Sequence, residues 1–135
     1  MRAIAGELVA FGVVGAIGFA IDGGILTLLA TRLGVDVYAA RTISFSVATL
    51  ATWLLNRRAV FRARAAPRGG RREEYVRYLA VQVCGAAINL GVFSALIAVH
   101  PALRAVPIVP LAVGAAIAMI FNYAGVRYWA FGGRP

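Results

Sequence analysis

Asp22 is a carboxylate in the middle of an apolar run, flanked by Gly, Ala, Ile and Phe over a full helical turn on either side. At the centre of a membrane helix such a group costs about 2.5–3.5 kcal/mol on insertion scales, so it must face a cavity or a partner. The one opposite charge within reach is Arg41, a few residues into the next apolar run. Two chemistries follow: a proton- or substrate-linked carboxylate lining a polar path, or half of an ion pair that locks two segments together. A second set is cationic. Arg57 and Arg58 close the second apolar run and Arg127 closes the last, and guanidinium groups grip phosphate through paired hydrogen bonds. The same arginines would also serve as anchors reaching lipid headgroups, with Trp53, Tyr128 and Trp129 as an interfacial aromatic belt. Asn89, Gln82 and Asn122 are carboxamides inside apolar runs. They read either as ligands of a polar substrate or as hydrogen-bonded glue between helices.

Other chemistries find no residues. No Ser-His-Asp set, carboxylate pair, Cys-His pair or phosphate-cradling glycine loop occurs with workable spacing, so the chain is not expected to be an enzyme. Of five acids, Glu7, Glu73 and Glu74 fall near the expected cytoplasmic interface, leaving nothing for a buried acid and base. The single Cys84 can form no intramolecular disulfide and has no metal-ligand spacing, so it is expected as a small buried apolar residue. His100, beside Pro101, reads as a loop residue. Neither metal nor cofactor is expected.

The elements that must position these groups are membrane helices. The 135 residues are 61% hydrophobic, with a mean hydropathy of +0.82 and five acidic side chains, a composition foreign to soluble domains. A span needs roughly 20 mostly apolar residues. Four segments qualify: about 8–30, 38–55, 78–99 and 106–126. The first is too long for a signal h-region and has only Arg2 before it, so it reads as a retained span. Eight of the fourteen arginines lie between Arg57 and Arg77. Cytoplasmic loops near spans are rich in arginine, which predicts that this loop and both termini are cytoplasmic. The charge of +9 is thereby explained by topology and anionic lipid rather than nucleic acid. Lysine is absent and alanine abundant, a composition pointing to a GC-rich, bacterial source.

Within the loop, Ala65 to Arg72 reads as a flexible linker, and Glu73-Glu74-Tyr75 as the start of a helix whose dipole favours those acids. The linker divides two similar halves. Phe11 leads to Asp22 as Tyr78 leads to Asn89, eleven residues on in both. Arg57 to Phe61 and Arg127 to Phe131 repeat Arg, three residues, Phe. Two spans per half return the chain to the same side, which predicts two parallel repeats related by a pseudo-twofold along the membrane normal.

Phe-Gly-Val-Val-Gly at 11–15, Asp22, Ala-Arg-Thr-Ile-Ser at 40–44, Trp-Leu-Leu-Asn-Arg-Arg-Ala-Val-Phe at 53–61, and Phe-Asn-Tyr at 121–123 closing on Arg127 to Phe131 together resemble the GtrA family. The likeness covers nearly the whole chain, as one membrane domain. Thr52 stands where the family often has Asn, and Val126 replaces the Asn expected before Arg127. The resemblance implies a small bacterial inner-membrane protein of cell-surface polysaccharide synthesis, moving a polyprenyl-phosphate-linked sugar across the bilayer.

Such a cargo needs a polar path for its headgroup, a cation for its phosphate and an apolar face for its tail. Asp22, Arg41, Arg57, Arg58, Asn89, Asn122 and Arg127 are the candidates for path and phosphate site. Small residues at Gly12, Gly15, Gly18 and at Gly114, Ala115, Ala118 predict close helix packing. Four short helices are too few to enclose a headgroup path alone, which predicts a homo-oligomer. An accessory protein that recruits a membrane glycosyltransferase through the arginine loop is the alternative. A small cation exporter would match the buried carboxylate but not the cationic cytoplasmic face.

Overall fold

A computed structural model describes residues 2–62, 69–106 and 108–132, and every element among them is helical. The chain divides into two units, 1–64 and 65–135. The expected linker at Ala65 to Arg72 falls partly on residues 63–68, outside the described residues.

In the first unit, α1 (Arg2–Thr27) continues through a wide π turn, Leu28–Arg32. Gly34, at φ +64°, then reverses the chain in the left-handed region that glycine adopts without cost. Asp36 starts the next helix by accepting the Ala39 amide at 3.3 Å on its carboxylate and the Ala40 amide at 2.8 Å on its carbonyl. α2 (Val37–Leu55) runs back along α1. Its buried stripe is Ala40, Ser44, Ala48 and Thr52, four apart and all small, against Phe11, Val14 and Gly18 of α1. A Cβ at Gly18 would overlap the Thr52 methyl. Bare glycine is what lets the two backbones approach there.

α2 carries five serine and threonine residues, and most satisfy themselves. Ser44, Ser46, Thr49 and Thr52 donate to carbonyls three or four residues back, at 2.7–3.1 Å. The helix thus enters an apolar setting with its hydroxyls already bonded. A second π turn, Asn56–Val60, follows and is closed by the Phe61 amide on the Asn56 carbonyl at 2.8 Å. Five-residue spacing returns Phe61 to the face of Asn56, and both are buried. The Phe61 ring meets Phe11 edge to face, centroids 6.3 Å apart.

The second unit is built the same way. α3 (Gly70–Val99) is followed by a 3₁₀ turn, Pro101–Ala105, and α4 (Ile108–Gly125) by a π turn, Val126–Ala130. The Phe131 amide bonds the Val126 carbonyl at 2.8 Å, and Phe131 meets Tyr78 edge to face at 6.2 Å. Glu74, Tyr78, Val81 and Gly85 form the buried face of α3, with Pro110, Gly114, Ala118 and Tyr123 opposite on α4. α3 starts at Gly70, earlier than the expected Glu73, because Arg71 and Arg72 continue the helix and Glu73 pairs with Arg77 one turn on.

Among the described residues, three helices are long and apolar enough to cross a membrane: Ala3–Arg32, Gly70–Val99 and Val109–Ala130. They correspond to the first, third and fourth expected spans. The second expected span is the 19-residue helix α2, whose apolar residues are interspersed with Arg41, Thr42, Ser44, Ser46, Thr49 and Thr52. Cys84 and Trp53 are placed differently from expectation. Cys84 is exposed on α3 rather than buried, because the buried face there is 74, 78, 81 and 85. Trp53, expected in the aromatic belt, is buried in the first unit, whereas Tyr128 and Trp129 are exposed.

Candidate functional site

Each unit is a hairpin with a closed end at its inter-helix connection and an open end at the π turn that ends its second helix, 56–60 or 126–130. Polar chemistry gathers at both.

At the closed end of the first unit, Arg41 Nη1 donates to Asp22 Oδ2, tying α2 to α1. Asp22 is largely buried, at 17% side-chain exposure, and Arg41 half-exposed, at 53%. The guanidinium lies 5.9 Å from the Phe45 ring centroid, a cation–π contact. Asp22 Oδ1 is buried without a hydrogen-bond partner. The arrangement is an ion pair joining α1 to α2, with one buried acceptor left for a donor.

At the corresponding level of the second unit no ion pair occurs among the described residues. Asn89, half-buried on α3, instead faces Gly114. A Cβ at Gly114 would sit 2.8 Å from the Asn89 carbonyl oxygen and 3.1 Å from its Oδ1.

Towards the open end of the second unit runs a ladder of side chains. Asn122 Nδ2 donates to Gln82 Oε1 at 3.0 Å across the α3–α4 seam, and Gln82 Nε2 donates to the Tyr78 hydroxyl at 2.7 Å. The Asn122 carboxamide lies over Gly85, where any Cβ would overlap it. In the first unit Phe11, Gly15 and Thr52 stand at the matching positions, so no such ladder can form.

The open ends carry the cations. Arg127 is half-buried on its π turn; Nη1 donates to the Tyr123 hydroxyl at 3.0 Å, and its guanidinium lies 5.8 Å from the Tyr123 centroid and 5.4 Å from that of Tyr128. Arg57 is half-buried at the matching place in the first unit, beside the buried Asn56, and Arg58 is exposed. The structure thus brings Asp22 to Arg41, and Asn122 to Gln82; Arg57 and Arg58 share one turn.

Sequence reasoning missed Glu74, which is fully buried. A signal was available: Glu7 precedes Glu74 by 67 residues, the same offset that separates Phe11 from Tyr78. Among the described residues no group of three His, Cys, Asp or Glu side chains could hold a metal ion.

No curated protein matches the chain. The family model described as GtrA/DPMS, transmembrane domain, matches residues 10–131, which include both hairpins, the Asp22–Arg41 pair and both basic turns. With nearly the whole sequence covered, the chain belongs to the GtrA family, and is a multi-pass membrane protein of the kind serving glycosyl-lipid or polysaccharide synthesis.

Proposed function

We propose that the protein translocates a polyprenyl phosphate, or a sugar linked to one, across the bacterial inner membrane, without catalysing a reaction of its own. The observation that carries this reading is Arg127. It sits half-buried at the end of a helix apolar enough to cross a bilayer, oriented by the Tyr123 hydroxyl and flanked by two tyrosine rings. A guanidinium held so, at headgroup depth, presents its remaining donors to a phosphate while the prenyl chain stays in lipid. Arg57 and Arg58 offer the same in the first unit.

In this reading all four helices cross the membrane as two parallel repeats, with both termini and the arginine-rich segment 57–77 in the cytoplasm. α2 crosses despite its hydroxyls because they bond its own backbone. Asp22, Arg41, Asn89 and Asn122 then lie along the headgroup's route, and copies associate to complete it. The test is reconstitution of the pure protein in vesicles with a labelled polyprenyl-phosphate-linked sugar. Protein-dependent appearance of label at the opposite leaflet is expected. Its absence sinks the reading, and the eight arginines of segment 57–77 then favour the other one, a docking surface that recruits a membrane glycosyltransferase.

A further inference from the structure

Glu74 is the one charged side chain with no exposure at all among the described residues. A carboxylate so buried needs a cation or a full set of hydrogen bonds. It lies on the face of α3 that packs against α4 and the π turn 126–130. One turn further, the Tyr78 ring meets Phe131, whose amide closes the turn bearing Arg127. The other described arginines of this unit are committed elsewhere. Arg77 pairs with Glu73, Arg71 and Arg72 are exposed, and Arg104 lies at the closed end. Among the described arginines of this unit, Arg127 remains, on the turn that packs against α3.

The first unit repeats the placement. Glu7 is half-buried one turn before Phe11; Phe11 meets Phe61; the Phe61 amide closes the turn bearing the half-buried Arg57. Arg58 and Arg62 are exposed, Arg32 lies at the closed end and Arg41 is paired with Asp22. Acid and first aromatic recur 67 residues on, arginine and second aromatic 70 residues on. Two separate hairpins therefore set an acid and an arginine at the same end, behind the same aromatic contact.

We propose that Glu7 and Glu74 are the resident counter-ions of Arg57 and Arg127, holding each guanidinium while no anion is bound and yielding it to a lipid phosphate. That a phosphate is the incoming anion rests on the function proposed above; the pairing does not. The carboxylate keeps the half-buried arginine neutralised in the empty site and lowers apparent phosphate affinity by the fraction of time it occupies the cation.

The test uses the full chain in nanodiscs with dodecyl phosphate as probe. Glu74→Gln, Arg127→Gln and the double variant are compared for thermal midpoint and for probe binding. Expected is a strongly non-additive cycle, the double variant melting no lower than the worse single one. Glu74→Gln should bind dodecyl phosphate about tenfold more tightly at the second-unit site, the arginine being released, and Arg127→Gln should lose that site while the one at Arg57 remains. Additive midpoints, or unchanged or weaker binding by Glu74→Gln, overturn the proposal. If Glu74→Gln does not fold, Glu7→Gln with Arg57→Gln gives the same reading at a less buried position. Probe binding that depends on Arg127 but ignores Glu74 overturns the counter-ion role and leaves the transport reading standing. No binding by any form overturns the exchange and the phosphate site together.

Discussion

Asn122 on α4 donates to Gln82 on α3 at 3.0 Å, joining the helices of the second unit by a side-chain hydrogen bond directed across their seam. Bonds of this kind between membrane helices average about 0.6 kcal/mol and reach about 1.7 kcal/mol. Gln82→Leu is expected to destabilise the purified protein by that modest amount, read as a small fall in its thermal midpoint. Gly85→Ala should cost more, about 1–3 kcal/mol, because its methyl occupies the volume of the Asn122 carboxamide. Thermal unfolding in detergent orders the two. A smaller effect from Gly85→Ala would mean the carboxamide has another place to go.

Asp22→Asn removes one charge of the pair with Arg41 while keeping shape. The expected outcome is intact assembly with reduced transport. The pair is half-exposed on the arginine side, so its stability contribution is about 1 kcal/mol or less. If yield and thermal midpoint fall while transport per folded molecule is unchanged, the pair is a structural lock only.

Arg127→Lys keeps the charge but loses planarity, the fit to two tyrosine rings and the paired donors. Binding of a lipid phosphate is expected to weaken about tenfold, corresponding to about 1.4 kcal/mol, with expression unchanged. Equal affinity in the lysine variant would show that charge alone suffices.

Cys84 is the single cysteine and lies exposed on α3, within a helix apolar enough to span a bilayer. In sealed vesicles a membrane-impermeant maleimide is expected to leave it unlabelled from either side, and in detergent with sodium dodecyl sulfate to label it fully. Labelling in intact vesicles would place that face of α3 on water.

The helices were legible because long apolar runs admit little else, and the reach from Asp22 to Arg41 was legible because membrane charges have few partners. Gln82 and Asn122 were readable as polar groups, and as glue, but not as partners of one another. That depended on Gly85 giving up the space between them. Glu74 was misjudged because an acid in the first turn of a helix suits the dipole without being buried; it lies instead on the buried face of α3, which packs against α4 and the turn beyond it. The π turns left no trace, since an extra residue in a turn alters neither composition nor polarity. Trp53 shows the same limit: its type suits an interface, while its register on α2 carries it inside.

Each wide turn, 56–60 and 126–130, bonds across five residues instead of four. A regular helix would return to the same face after four residues, so each turn holds one residue more than is needed to carry Phe61 to Phe11 or Phe131 to Tyr78. The surplus is spent on girth: it widens the backbone ring from which Arg57 and Arg127 project. A one-codon deletion there would leave the ring pairs closed and narrow only the collar that carries the arginine.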